Sequence, residues 1–200
     1  MYELFRFEDI NFQTESQQEI FSNIKTIKHD SLIARLRPDL LTKYFVVVCK
    51  SGGEVIFAKN NEGLIIGLLV FNRDNRITLN FLKEYKLALV STLGFSFSMT
   101  DKILLYKSII NSILIKDLDN EYTKNEISLV AVLDKYQGKG VGTSMINEIL
   151  QIPDEIIHIK TDEGNLGARA LYRKIGFREV VIEKIGTRRL ACMRYEKNEI

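Results

Sequence analysis

Six residues, Gln137-Gly138-Lys139-Gly140-Val141-Gly142, follow the apolar run ISLVAVL at residues 127–133. They precede a helical pattern that puts Val141, Met145, Ile146, Ile149 and Leu150 on one side. A strand, a glycine turn and a helix in that order make an anion site. The first N–H groups of a helix have no partner inside it, point the same way and carry the positive end of the helix dipole. Glycine lets the chain curl tightly and lets a phosphate approach with no Cβ in the way. Lys139 adds a positive charge at the rim, and Thr143 and Ser144 add hydroxyls. The plain alternative is a glycine-rich turn that only joins a strand to a helix.

Three phosphate-binding schemes compete for this turn. A P-loop needs a lysine between its last glycine and the Ser/Thr, but here Gly142 is followed directly by Thr143. A dinucleotide fingerprint needs GxGxxG. Gly138 and Gly140 fit, Thr143 holds the third position, and Asp162 falls where a ribose-binding acid would sit. Only 38 residues follow Asp162, room for one helix and a hairpin rather than further βα units. The third scheme is the pattern Gln137-x-x-Gly140-x-Gly142. It is accompanied downstream by Asn165-Leu166-Gly167-Ala168-Arg169-Ala170-Leu171-Tyr172-Arg173-Lys174-Ile175-Gly176-Phe177.

These two segments, in this order, resemble the pyrophosphate loop and the N-x-x-A-x-x-L/F-Y-x-x-x-G-F segment of the GNAT superfamily, the GCN5-related N-acetyltransferases that use acetyl-coenzyme A. The resemblance covers about residues 126–196. It implies an α/β (α+β) fold with a mixed, mostly antiparallel sheet flanked by helices, and fourth and fifth strands (here 127–133 and 155–161) that splay apart to admit the cofactor. Backbone groups of Val130, Ala131 and Val132 would then pair with the pantetheine arm like an added strand. The N–H groups of Gln137, Gly138, Lys139, Gly140, Val141 and Gly142, with Thr143 beside them, would hold the pyrophosphate. Asn165 would contact the pantetheine portion. Tyr172 would sit by the thioester sulfur and protonate the departing thiolate as general acid.

The chemistry makes two further demands. Negative charge develops on the thioester oxygen, and a backbone N–H near Val132 is placed to meet it. The attacking amine must be neutral, so a base or a water chain must take its proton. Glu126, at the start of the strand beside the gap, is the candidate base, and Asp134, Asp162 and Glu163 are further carboxylates nearby in sequence. Each assignment has a plainer rival. A glutamate at a strand start is commonly an exposed end residue. A tyrosine at helical spacing from Ala168 and Ile175 is commonly core packing with its hydroxyl at the edge. His158 lies within a strand pattern and reads as a packed histidine. Arg188 and Arg189 read as solvated hairpin charges.

The elements that must position these groups follow from periodicity. Residues 2–7 alternate as a first strand. Residues 15–27 place Ile20, Phe21, Ile24 and Ile27 at helical spacing. A second helix follows Pro38, with Leu40, Leu41, Tyr44, Phe45 and Val48 along one side and Gly52-Gly53 at its end. Strands at 55–59 and 64–71 flank the turn Asn60-Asn61-Glu62-Gly63, and Arg73-Asp74-Asn75 breaks the second of them. Residues 77–118 read as two helices, one through Leu79, Leu82, Leu87 and Val90 and one from Ile103 to Leu114. Gly94 and a strand-like Phe95-Ser96-Phe97-Ser98 alternation lie between them. The run 127–133 reads as a strand buried on both faces. Asn165 is an N-cap candidate and Gly176 a C-terminal cap for the helix between them. Residues 177–185 and 187–195 read as a hairpin around Gly186.

Of 200 residues, 46% are hydrophobic, and 28 basic against 26 acidic side chains leave a net charge of +2. That length and balance suit one domain, 1–200, with a helix-rich insertion at 77–118, and argue against disorder and against a nucleic-acid binder. Cys49 and Cys192, with only His29 and His158, make neither a disulfide framework nor a metal site, so no metal is expected. The absence of a signal core or a long apolar run makes a cytoplasmic protein with no membrane span the expectation. The partner expected is a small-molecule amine acceptor. Segments 15–50 and 77–118 would supply core, a homodimer surface or an acceptor pocket wall. Residues 31–48 and the insertion after them also resemble acetyltransferases of bacterial cell-surface polysaccharide gene clusters, which implies an amino-sugar acceptor. Two other functions stay open: an acyl-coenzyme A-binding module without efficient transfer, and an NAD-type oxidoreductase.

Overall fold

A computed structural model describes residues 1–7, 38–74, 76–85, 124–152, 156–185 and 188–197. Its elements in chain order are β1 (Tyr2–Arg6), α1 (Pro38–Lys50), β2 (Glu54–Asn60), β3 (Ile65–Asp74), α2 (Arg76–Glu84), β4 (Lys124–Val132), a 3-10 turn (Asp134–Tyr136), α3 (Val141–Leu150), β5 (Ile156–Asp162), α4 (Leu166–Ile175), β6 (Arg178–Ile185) and β7 (Arg188–Glu196). The strands form one seven-stranded sheet in the order β1-β2-β3-β4-β5-β7-β6. The β4–β5 pair is parallel and every other pair is antiparallel. The mixed, mostly antiparallel α/β architecture is the one expected. The expected helices at 15–27 and 103–114, the positions Leu87, Val90 and Gly94, the 95–98 alternation and the Gly186 turn lie outside the described residues.

Two apolar clusters cover the two sheet faces. On one, α1 buries Leu40, Leu41, Tyr44, Phe45 and Val48 against Phe57, Leu68, Val70, Leu129 and Ala131. These five helix positions recur at the spacing of a single helical stripe, so α1 buries one face against the sheet. Phe45 meets Phe57 edge-on at 5.9 Å, and Tyr44 meets Phe81 of α2 at 5.3 Å. On the other face, α3 buries Val141, Met145, Ile146 and Ile149 against Ile56, Ile66, Leu69, Phe71 and Ile127. Burying side chains of this size contributes roughly 1.5–3 kcal/mol each. Gly67 sets the closeness of that contact. A Cβ there would lie 3.0 Å from Met145 Cε and 3.1 Å from Val141 Cγ1.

Two boundaries differ from the sequence reading. First, β3 runs on through Arg73 and Asp74. Asp74 ends it by accepting from Arg76 N at 2.9 Å and Arg76 Nε at 2.7 Å, so these polar residues make the junction to α2 rather than an early break. Second, β4 is not buried on both faces. Ile127, Leu129 and Ala131 are buried, whereas Val130 and Val132 are only half-buried. The reason is topological. β4 and β5 pair only at Glu126↔His158 and Ile127↔Ile159, after which no rung joins them. A bulge in β4, where Val70 pairs with Leu129 but Phe71 with Ile127, sits at the point of divergence. The apolar residues past the fork therefore face a gap.

Candidate active site

The fork is lined by backbone. Leu133 N donates to Ile66 O at 2.9 Å, toward β3. By strand alternation Val130 and Val132 turn their N–H and C=O groups the other way, toward the gap that β5 leaves. Beyond Val132 the chain makes the 3-10 turn and then the glycine loop. Gly138 (φ 72°) and Gly140 (φ 83°) are left-handed, a conformation that costs a side-chain-bearing residue about 1–2 kcal/mol. Gly140 is the N-cap of α3, with no side chain capping that end. The first bond of the helix ladder runs from Ser144 N to Gly140 O (2.9 Å), so the N–H groups of Val141, Gly142 and Thr143 precede it. A helix start with its donors uncapped in this way is the arrangement that suits an anion. Lys139 stands at its rim, with Nζ 5.3 Å from the centre of the Tyr136 ring.

Gln137 departs from the expectation that its N–H faces the anion. That N–H donates to Asp134 O at 3.1 Å. Its side-chain amide donates to Val132 O and to Asp134 Oδ1, both at 3.0 Å. Gln137 thus ties the loop to the end of β4, and the Asp134 carboxylate is occupied with the same task.

Asn165 caps α4, its Oδ1 accepting from Ala168 N at 3.1 Å, and Gly176 closes the helix at φ 115°. Tyr172 projects from α4 into the cluster that holds Val130, Val132, Val141, Ile157 and Ile159. It is 7% exposed, and burial pushes its hydroxyl up to about 12. Gly142 lies where the first turn of α3 meets both α4 and β4. A Cβ there would be 3.7 Å from Leu171 Cδ2 and 3.7 Å from Val132 Cγ2. Of the residues singled out in the sequence, Val130, Val132, Gly142 and Tyr172 are therefore brought together at the mouth of the fork.

Glu126 lies elsewhere, on the root of the fork and the opposite sheet face. It is in register with Asn72, whose Nδ2 lies 3.2 Å from Tyr44 Oη and 3.1 Å from Ser128 Oγ, on the face α1 covers. Far from being an exposed end residue, it is buried, 9% exposed. Across the parallel rung stands His158, 3% exposed, with Nδ1 3.0 Å from Lys124 O. Two residues on, and so on the same face, is Lys160, 3.1 Å from Glu183 Oε2 on β6. Burial works against the Lys160 charge, but Glu126 and Glu183 outweigh it, and its pKa is raised. Cys192 completes the group beside Lys160, its thiol pushed up to about 11 by burial. No spacing in the chain announces this polar row. Only the pairing of β4, β5, β7 and β6 assembles it.

The other carboxylates are occupied. Glu163 is paired with the Arg189 guanidinium (Nη2–Oε1 3.1 Å), which holds it below the usual carboxylate range. Arg189, read as a solvated hairpin charge, is 59% exposed and pairs with Glu163 at the surface. Among the described residues, no cluster of three or more His, Cys, Asp or Glu is placed to hold a metal, and no helix is long and apolar enough to cross a membrane.

Comparison with known proteins agrees with this architecture. A histone acetyltransferase HPA2 and related acetyltransferase structure from Corynebacterium glutamicum superposes with a TM-score of 0.59 at 15% identity, covering 100% of this chain and 98% of that one. YncA of Salmonella typhimurium, solved with its cofactor acetyl-CoA, gives 0.57 at 14% identity, covering 100% and 96%. The ribosomal-protein-S18-alanine N-acetyltransferase of Escherichia coli gives 0.53 at 13%, covering 98% and 94%. At such identities the likeness is one of fold. No curated protein matches the sequence. Residues 14–177 match the acetyltransferase (GNAT) family. The chain belongs to that family.

Proposed function

We propose that this protein transfers an acetyl group from acetyl-CoA to a primary amine of a small molecule, with an amino sugar as the candidate acceptor class. The observation that carries the reading is the fork. It offers the gap-facing N–H and C=O of Val130 and the N–H of Val132, the Val132 carbonyl being held by the Gln137 amide, continuous with a helix start whose N–H groups have neither a helical partner nor a side-chain cap. An extended amide-bearing arm ending in phosphates fits that sequence of donors and acceptors. The strand edge takes the amides, and the N–H groups from Gly138 to Thr143 take the phosphates. When bound, acetyl-CoA supplies a thioester carbonyl open to attack by an amine.

The chain's own groups then divide the work. The N–H of Val132 faces the gap, where it can meet negative charge developing on the carbonyl oxygen. Tyr172 keeps its proton throughout the working pH range, as a hydrogen-bond donor must. Its pKa of about 12 stands above the roughly 8.5 of an ordinary thiol. Its donation is therefore a hydrogen bond that strengthens as charge builds on sulfur, and the departing thiolate takes its proton from water. Glu126 stands six residues back along β4 from Val132, roughly 20 Å by strand rise, so it takes the amine proton through a chain of waters. Tyr172 and Glu126 then flank β4 from opposite faces, which lets an amine enter on one side while the thiol leaves on the other. Location in the cytoplasm and action as a homodimer belong to the same proposal.

The experiment is a thiol-release assay with a panel of amines, amino sugars among them, run with acetyl and longer acyl donors. Amine-dependent release supports the reading. Donor binding with no amine-dependent release would instead support a binding module of the same fold.

A further inference from the structure

We infer that one rung of the β1–β2 ladder, Tyr2 opposite Asn60, grips the glycine loop at both shoulders. Tyr2, Asn60 and Tyr136 are then positioning residues for the phosphates of the acyl donor. The inference rests on the loop being the phosphate site. Asn60, at the end of β2, spends its two amide ends on different partners. Its Oδ1 accepts from Glu62 N at 3.0 Å and Leu64 N at 2.9 Å, which builds the β2–β3 turn. That fixes which way the amide faces, and Nδ2 is left to donate to Tyr136 Oη at 2.9 Å and toward Glu62 Oε2 at 3.3 Å. Tyr136 is the last residue of the 3-10 turn that leads into the loop. On the other shoulder, Tyr2 Oη lies 2.6 Å from Ser144 Oγ. Ser144 is the residue whose N–H opens the α3 ladder.

Between these anchors lie residues 137–143, with two glycines at positive φ. Such a segment loses much conformational freedom when it orders. Fixing its two ends in the free protein removes part of that loss from ligand binding, which is how preorganisation raises affinity. The same hydroxyl bond sets the Tyr136 ring, against which the ammonium groups of Lys135 and Lys139 rest at 5.2 and 5.3 Å. The rung therefore places the loop's backbone donors and both of its lysines together. Asn60 and Tyr136 are 76 positions apart, and the contact is visible only in three dimensions.

The test uses Tyr136→Phe and Tyr2→Phe, each of which removes one hydroxyl and keeps the ring. Calorimetry on the full chain compares coenzyme A with pantetheine, which lacks the phosphates. Each variant should lose about 3- to 10-fold in affinity for coenzyme A, the equivalent of one hydrogen bond, and less than twofold for pantetheine. Equal losses for both ligands, or unchanged coenzyme A affinity with a lowered unfolding midpoint, would overturn the inference and leave the contacts as braces of the fold. A wild type that binds coenzyme A but never transfers acetyl would defeat the proposed function while leaving this inference standing.

Discussion

The mouth and the root of the β4–β5 fork are built from different materials. At the mouth, the working groups other than the Tyr172 side chain are backbone: the gap-facing edge of Val130 and Val132 and the N–H groups of residues 138–143. At the root they are side chains, with Glu126, His158, Lys160 and Glu183 contributed by β4, β5 and β6. Backbone donors are the same whatever the residue, so the mouth depends on conformation and is encoded by glycine spacing. Side-chain groups depend on identity and on which strands lie adjacent, so the root is free to vary in what it presents to an acceptor. The proposed function accordingly puts the acyl donor at the first kind of site and the acceptor near the second.

Substitutions separate the two regions. The largest effect is expected at the root, where Glu126→Gln should lower kcat by about 100-fold or more, the contribution usual for a positioned base. Its KM for acetyl-CoA should hardly move. Loss of donor affinity without loss of kcat would move Glu126 out of the base role. At the mouth, Tyr172→Phe should cost about tenfold or more in turnover at neutral pH. Because burial pushes this hydroxyl up to about 12, the wild type should show no fall from its ionisation below that pH. Wild-type turnover of the variant at neutral and alkaline pH would remove Tyr172 from the chemistry and leave the fold assignment untouched.

A smaller effect tests whether the polar row acts as a unit. Lys160→Met removes the positive charge facing Glu126 and Glu183, so the acidic limb of the kcat/KM profile should move to higher pH. Stability should follow the other sign. The pKa of Lys160 is raised in the folded state. Its contribution is therefore fully present below the ordinary lysine value of about 10.5 and lost only as pH rises through the higher folded value. The difference in urea midpoint between wild type and variant should stay constant from neutral pH to about 10 and shrink above it. A difference that is already gone at pH 8 would mean the row is not coupled. The smallest effect expected is for Asn165→Ala, which removes the α4 cap and should cost about 1 kcal/mol in denaturant unfolding. A much larger loss of acetyl-CoA affinity than of stability would make Asn165 a cofactor contact as well as a cap.

The same contrast explains what could be read from the chain alone. The loop was legible because Gly138, Gly140 and Gly142 are local and their backbone geometry follows from residue type. The α4 caps, Asn165 and Gly176, were legible for the same reason. The stripe of α1 was legible because helical periodicity is a local signal. The half-burial of Val130 and Val132 is hidden because an apolar run reads as doubly buried, and nothing local records that β5 turns away after Ile159. The sequence singles out Glu126 but nothing in it joins that residue to His158, Lys160 or Glu183. Lys160 and Glu183 are 23 residues apart, and only strand order puts them 3.1 Å from each other. Asn60 looked like a turn residue, which it is, and its second bond to Tyr136 had no sequence signal.

The claim on which all of this turns is that the glycine loop and the open edge of β4 hold acetyl-CoA. Calorimetric titration of acetyl-CoA into the wild type and into Gly140→Val tests it most directly. The wild type should bind one equivalent per chain. The variant forces a β-branched residue into a φ of 83° at the helix start, with space around its Cβ but a strained backbone. It should keep a folded circular-dichroism spectrum and lose at least about tenfold in affinity. Unchanged affinity in the folded variant, or no binding by the wild type, would contradict the account.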